Sequence, residues 1–189
     1  MSENMKNLHE SFNKMKKTLY TASYDVKKYE YIDITNLLVK ENKTEEDWKI
    51  LRKFYHFIST IKYIVEDFGT QILKIQEIDF KNKNDLELFS RDVIELIDRF
   101  IDAVVAINEN FDFSSDDIDT RMSEYRLKSL RTNFIKRINE FRFKFDVNIE
   151  QSEVDKIKYI TSDILDDIIK ETISLRVDKL IDVLEKQLQ

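Results

Sequence analysis

The chain has no cysteine, no proline and a single glycine, Gly69, among its 189 residues. Average usage would supply about 13 glycines and about 9 prolines in that length. Tight hairpin turns draw on glycine, asparagine and proline, so a fold rich in β-hairpins is excluded. A chain free of the residue that breaks helix interiors reads as nearly all helix. The missing cysteines exclude disulfides, thiolate zinc sites and cysteine nucleophiles. One glycine leaves no glycine-rich phosphate loop. No run approaches 18 consecutive apolar residues, so no transmembrane helix is expected. The polar stretch Met1 to Lys17 lacks the apolar core of a signal peptide. Together these absences predict a soluble cytoplasmic protein with no cofactor and no metal.

What is present suits a helical bundle. Charged residues make up 36% of the chain and hydrophobic ones 42%, a balance that gives each helix one apolar and one solvated face. With 24 Ile and 13 Phe the chain can offset its ordering entropy, and its length fits one domain, residues 1–189. Heavy use of Ile, Lys, Asn, Asp and Phe with only three Ala resembles translation from an AT-rich genome, as in a low-GC bacterium or its phage.

Apolar periodicity predicts an all-α, antiparallel bundle of four to five long helices, roughly 3–31, 45–78, 85–110, 116–146 and 153–187. Met5, Leu8, Phe12, Met15, Leu19, Ala22, Val26 and Tyr29 alternate in steps of three and four, a bundle or coiled-coil seam. The pattern fails at 31–35, and a brief helix through Leu37 to Lys40 follows. Thr44 with Asp47 approximates a capping box for the second long helix. Its apolar residues, Leu51, Phe54, Tyr55, Ile58, Ile61, Val65, Phe68, Ile72 and Ile75, cover a wide arc that Ile50, Phe57 and Ile64 extend. Such an arc predicts a central helix with neighbours on two sides. Gly69 falls inside it, where a missing Cβ would let a neighbour come close. Asn84 with Glu87, Ser114 with Asp117 and Ser152 with Asp155 mark the starts of the remaining helices.

The last helix carries an irregularity. Ile157, Ile160, Ile164 and Ile168 form one stripe. A second stripe, Leu165, Ile169, Ile173, Val177, Leu180 and Leu184, runs roughly along the opposite side at about 100° per residue. Either the helix breaks near Ser162, or its C-terminal half packs on something different. A straight helix would expose the second stripe as a partner-binding row, for a homodimer or another protein.

Charge is strongly segregated beneath the net −6. Residues 76–120 hold 13 acidic and 4 basic residues, and residues 121–144 hold 8 basic and 2 acidic. Five of the nine arginines lie in that second stretch. Its candidate basic surface is Arg126, Lys128, Arg131, Lys136, Arg137 and Arg142. Three uses stay open: neutralisation by the acidic helix before it, an acidic protein partner, or nucleic acid, whose phosphates suit clustered arginine. Phe134, Phe141 and Phe145 lie on the apolar seam of the same helix, which makes them core residues rather than stacking platforms for bases.

Few groups could carry catalysis. Arg52 and His56 stand one helical turn apart on the solvated face of the second long helix. In Arg52-Lys53-Phe54-Tyr55-His56 the pair resembles the motif of the HEPN family of helical ribonucleases, an Arg, four to six residues, then a His. Here three residues intervene, and Lys53 replaces the polar residue that commonly follows that Arg. The resemblance implies RNA cleavage at Arg52 and His56. Neither His9 nor His56 has an acidic residue three positions before it, which excludes the helical di-iron pattern. Glu95, Asp98 and Asp102 point away from the Val93, Ile97, Phe100 and Val104 face, where a buried Mg²⁺ site would have to lie. Asp163 and Asp166 form a second acidic pair, and Asp167 and Glu171 occupy the face that the first stripe of the last helix abandons. The expectation is therefore a non-enzymatic protein–protein interaction module: a regulator, inhibitor, immunity factor or assembly subunit. It would have no small-molecule substrate and no membrane. A nucleic-acid-associated subunit of a ribonucleoprotein complex is the alternative, and a HEPN-like ribonuclease the third.

Overall fold

Seven helices make up the described part of the computed structural model: α1 (Glu3–Lys27), α2 (Ile34–Val39), α3 (Glu45–Ile75), α4 (Lys83–Asn110), α5 (Thr120–Arg142), α6 (Gln151–Ser174) and α7 (Val177–Leu188). The structure describes residues 2–29, 32–78, 80, 82–110, 120–142, 150–174 and 177–189, without the side chains of 68, 71–72, 120–123, 172–174 and 177. Among the described residues there is no β-strand, and the fold is the all-α bundle that the composition requires.

The seam of α1 is buried throughout, from Met5 to Val26 and on to Tyr29. The helix ends at Lys27, short of the expected 31, because the chain tightens into turns in which Tyr29 N–H donates to the Val26 carbonyl at 2.9 Å. Ser2 caps its N-terminus and Asp33 caps α2. The capping box of α3 forms as expected, the Asp47 amide donating to Thr44 Oγ1 at 3.1 Å and the Thr44 amide to Asp47 Oδ2 at 2.8 Å. Two of the other caps differ from expectation. Asn82, not Asn84, opens α4 by accepting from the Asp85 amide at 3.0 Å. The carbonyl of Glu150 accepts the first helical bonds of α6, so Ser152 already lies within that helix. Ser114 and Asp117 lie outside the described residues.

Helix axes close into a ring. α1 packs on α3, α3 on both α6 and α7, α6 on α5, α5 on α4, and α4 back on α1. α3 therefore has the two flanks of neighbours that its wide arc demands. With α6 and α7 following one direction along α3, five rods make the ring, and an odd ring cannot alternate up and down all the way round. The exception is α1 and α4. His9 faces Asp92 and Tyr20 faces Arg99, so these two helices run parallel. All seven helices contribute to one cluster of buried apolar side chains.

Two expectations are corrected. Gly69 is exposed, and a Cβ built on it would meet nothing within 4 Å, so no neighbour uses its missing side chain. The last helix does not break near Ser162, whose hydroxyl accepts from Gln76 at 3.3 Å inside an unbroken α6. Where their side chains are described, both stripes turn inward because the neighbours change along the way: α6 lies among α5, α3 and α4, whereas α7 lies on α3 and α6.

Candidate functional site

The apolar stripe expected to bind a partner is covered by the chain's own helices wherever its side chains are described. Leu165 and Leu184 are fully buried, and Ile169 and Leu180 pack partly buried against the core. The exposed row that motivated an intermolecular contact is therefore absent at these four positions. The side chains of Ile173 and Val177 lie outside the described residues.

The basic helix α5 lies antiparallel to the acidic α4, and its arginines close on neighbouring carboxylates. Arg131 binds Asp98 through Nε and again from Nη2 to Oδ2 at 3.3 Å. Arg142 forks onto Glu87, with Nε to Oε1 at 2.8 Å, and its Nη1 reaches Asn139 at 3.2 Å. The guanidinium holds the Glu87 carboxyl below its ordinary range, and the carboxylate raises Arg142 in turn. Arg126 faces Glu171 of α6 at 3.5 Å, and Lys128 pairs along its own helix with Glu124 at 2.7 Å. Lys136 is exposed and Arg137 half-buried, and neither meets a carboxylate among the described residues. Four of the six basic candidates thus have partners within the chain, and two of them, Arg131 and Arg142, pair across the seam with the acidic α4.

Arg52 and His56 are both exposed on α3, with no ion-pair partner for either among the described residues. Tyr55 between them turns inward and donates to Glu185 of α7 at 2.9 Å. Most of the acidic candidates are paired within the chain. Glu95 takes Lys16, Asp98 takes Arg131, Asp102 faces Arg99 at 3.4 Å, and Asp166 pairs with Lys170 at 2.9 Å. Among the described residues no group of three or more His, Asp or Glu could hold a metal ion.

Sequence reasoning missed two features of the parallel α1–α4 seam. The first is a polar cluster around Asp92, whose side chain is 2% exposed. His9 Nδ1 binds one of its oxygens and Lys16 Nζ reaches the other at 3.2 Å. Lys16 also holds Glu95 at 2.7 Å, which lowers the Glu95 carboxyl, and Asn13 contacts the far side of the His9 ring at 3.1 Å. A signal was available, because positions 9, 13 and 16 form one polar row along a flank of the α1 seam. The second is a groove of about 560 Å³ where the two helices reach their C-terminal ends. Tyr20, Ser23, Tyr24 and Lys27 line one wall, and α4 lines the other from Arg99 to Asn110. The exposed Tyr20 and Tyr24 rings stack with centroids 6.3 Å apart, and the Arg99 guanidinium sits 4.9 Å from the Tyr20 centroid. What that row meets, and the groove itself, follow only once α1 and α4 are known to be neighbours.

Comparison of the chain with protein-family models, with curated proteins and with solved structures finds no match.

Proposed function

We propose that this chain is a non-enzymatic interaction module that engages another protein through the groove between α1 and α4. One observation carries the reading: Tyr20 and Tyr24, 53% and 66% exposed, stand beside Arg99 at the mouth of a concave surface. Tyrosine and arginine are enriched among the few residues that dominate binding at protein interfaces, because each joins apolar area to a polar end. Support also comes from where the reactive groups lie. Asp92, Glu95, Asp98 and the His9 ring bond across helix seams, Asp102 and Asp166 pair along their own helices, and Arg52 and His56 stand apart from any groove described above. The polar pairing of α5 with α4 and α6 weighs against the nucleic-acid alternative, which needs those arginines for phosphate. No described helix is long and apolar enough to cross a membrane.

A photocrosslinking amino acid placed at Tyr24, irradiated in the cells that make the protein, tests the reading. A discrete adduct with one other protein is expected from Tyr24 and not from the equally exposed Tyr125 on α5 or Tyr159 on α6. Adducts from Tyr125 alone, adducts with nucleic acid, or adducts only with a second copy of this chain would overturn it.

A further inference from the structure

We infer that the α1–α4 groove recognises a cationic side chain, an arginine guanidinium presented by the partner. The inference rests on the interaction reading above and names the chemistry of that contact. The parallel run of α1 and α4 brings two helix C-termini to the same end of the groove. A helix C-terminus carries a partial negative charge of about half an elementary charge. α1 answers its own with Lys27 in the last turn, but α4 has no basic residue in its last turn.

A second, independent observation lies in the groove wall. Asn110 is 3% exposed, its Nδ2 donates to the Ala106 carbonyl at 2.7 Å, and its Oδ1 meets no donor among the described residues. Across the groove the buried Ser23 hydroxyl oxygen also has no partner among them. Buried acceptors left without donors are costly, so a site built from them favours a donor-rich ligand. A guanidinium is a flat fork of five N–H donors with no acceptor. Its planar faces also stack on aromatic rings. Arg99 over Tyr20 already displays that contact within the chain, while the Tyr24 ring has no cation over it among the described residues.

Like charge in the groove is small and directional. Arg99 is held by Tyr20 and Asp102, and Lys27 is an exposed ammonium on a flexible stem. Removing Lys27 should therefore strengthen binding of a cation, whereas it would weaken binding of an anion.

The test is a titration of the full chain, followed through the backbone and Asn side-chain amide resonances, with N-acetyl-arginine amide. N-acetyl-citrulline amide is the neutral isostere and N-acetyl-glutamate amide the anion. The arginine probe should shift Asn110 and Tyr24 saturably in the millimolar range, at least about threefold more tightly than citrulline. Tyr24→Ala should weaken it about threefold, and Lys27→Gln should tighten it; both positions are exposed, so the fold is retained. Equal binding of citrulline, preference for glutamate, weakening by Lys27→Gln, or no saturable shift at Asn110 would each overturn the inference. A crosslinked partner at Tyr24 without arginine binding would defeat this chemistry and leave the docking reading standing. Arginine binding without a crosslinked partner would do the reverse.

Discussion

Replacing Asp92 by alanine should be among the most damaging single changes in the polar part of this protein. The carboxylate is 2% exposed and joins α4 to α1 through His9 and Lys16, themselves 25% and 13% exposed. Removing one partner of a buried ion pair costs about 3–5 kcal/mol, because the charge left behind keeps its desolvation penalty. Two facts reduce that here. Lys16 retains Glu95 at 2.7 Å, and His9 stays in partial contact with water. A loss of about 2–3 kcal/mol follows. In urea, with a slope of about 2 kcal/mol/M for a chain of this length, the unfolding midpoint should fall by about 1–1.5 M. Asp92→Asn keeps the shape and one hydrogen bond and should cost about half as much. A double-mutant cycle with His9→Ala should show coupling of about 1 kcal/mol or more. Replacing His9, Lys16 and Asp92 together by apolar residues of similar volume should be close to neutral, since no charge is then stranded. A midpoint shift below about 0.25 M for Asp92→Ala, with no coupling to His9, would refute the placement of this carboxylate between the two helices.

Gly69→Ala should stabilise the protein by about 0.5–1 kcal/mol, read as a higher urea midpoint, because the position is helical, exposed and free of neighbours within 4 Å; a loss of stability would mean that a neighbour does press on it. Stability should fall as pH drops below the ordinary glutamate value of 4.5, since Glu87 and Glu95 are held lower in the folded state by Arg142 and Lys16. Their contribution is complete above the unfolded pKa and disappears as pH falls through the folded values. Glu87→Gln should flatten that acid limb in pH-dependent urea titrations, and an unchanged limb would show that the Arg142 pair does not hold in solution.

Helix content and much of the core were legible because both follow from local rules. The eight apolar seam positions from Met5 to Tyr29 are all buried, and Thr44 with Asp47 forms its capping box, because a 3.6-residue period and an N-cap act within a few turns. The side-by-side packing of acidic α4 and basic α5 was legible too, since a short connection leaves consecutive helices few other places to go. Gly69 was misread because a local pattern cannot say whether the next helix covers a given point of an arc. The C-terminal stripes were misread for a related reason: the row from Ile157 to Ile168 and the row from Leu165 to Leu184 looked opposed on one straight cylinder, but the neighbours change from α6 to α7, so the described side chains of both rows are covered.

Sequence by itself determined that the chain is helical, where most helices begin to within a few residues, and which face of most of them is apolar. Only the tertiary structure decided that five rods close into a ring, and an odd ring forces one parallel pair. That pair, α1 with α4, brings together residues some 80 positions apart, setting His9 on Asp92 and Tyr20 under Arg99. It also gathers two helix C-termini around Asn110. Periodicity is a property of one helix and carries no record of the next, so the polar clasp and the tyrosine-lined groove exist only once the helices are assembled.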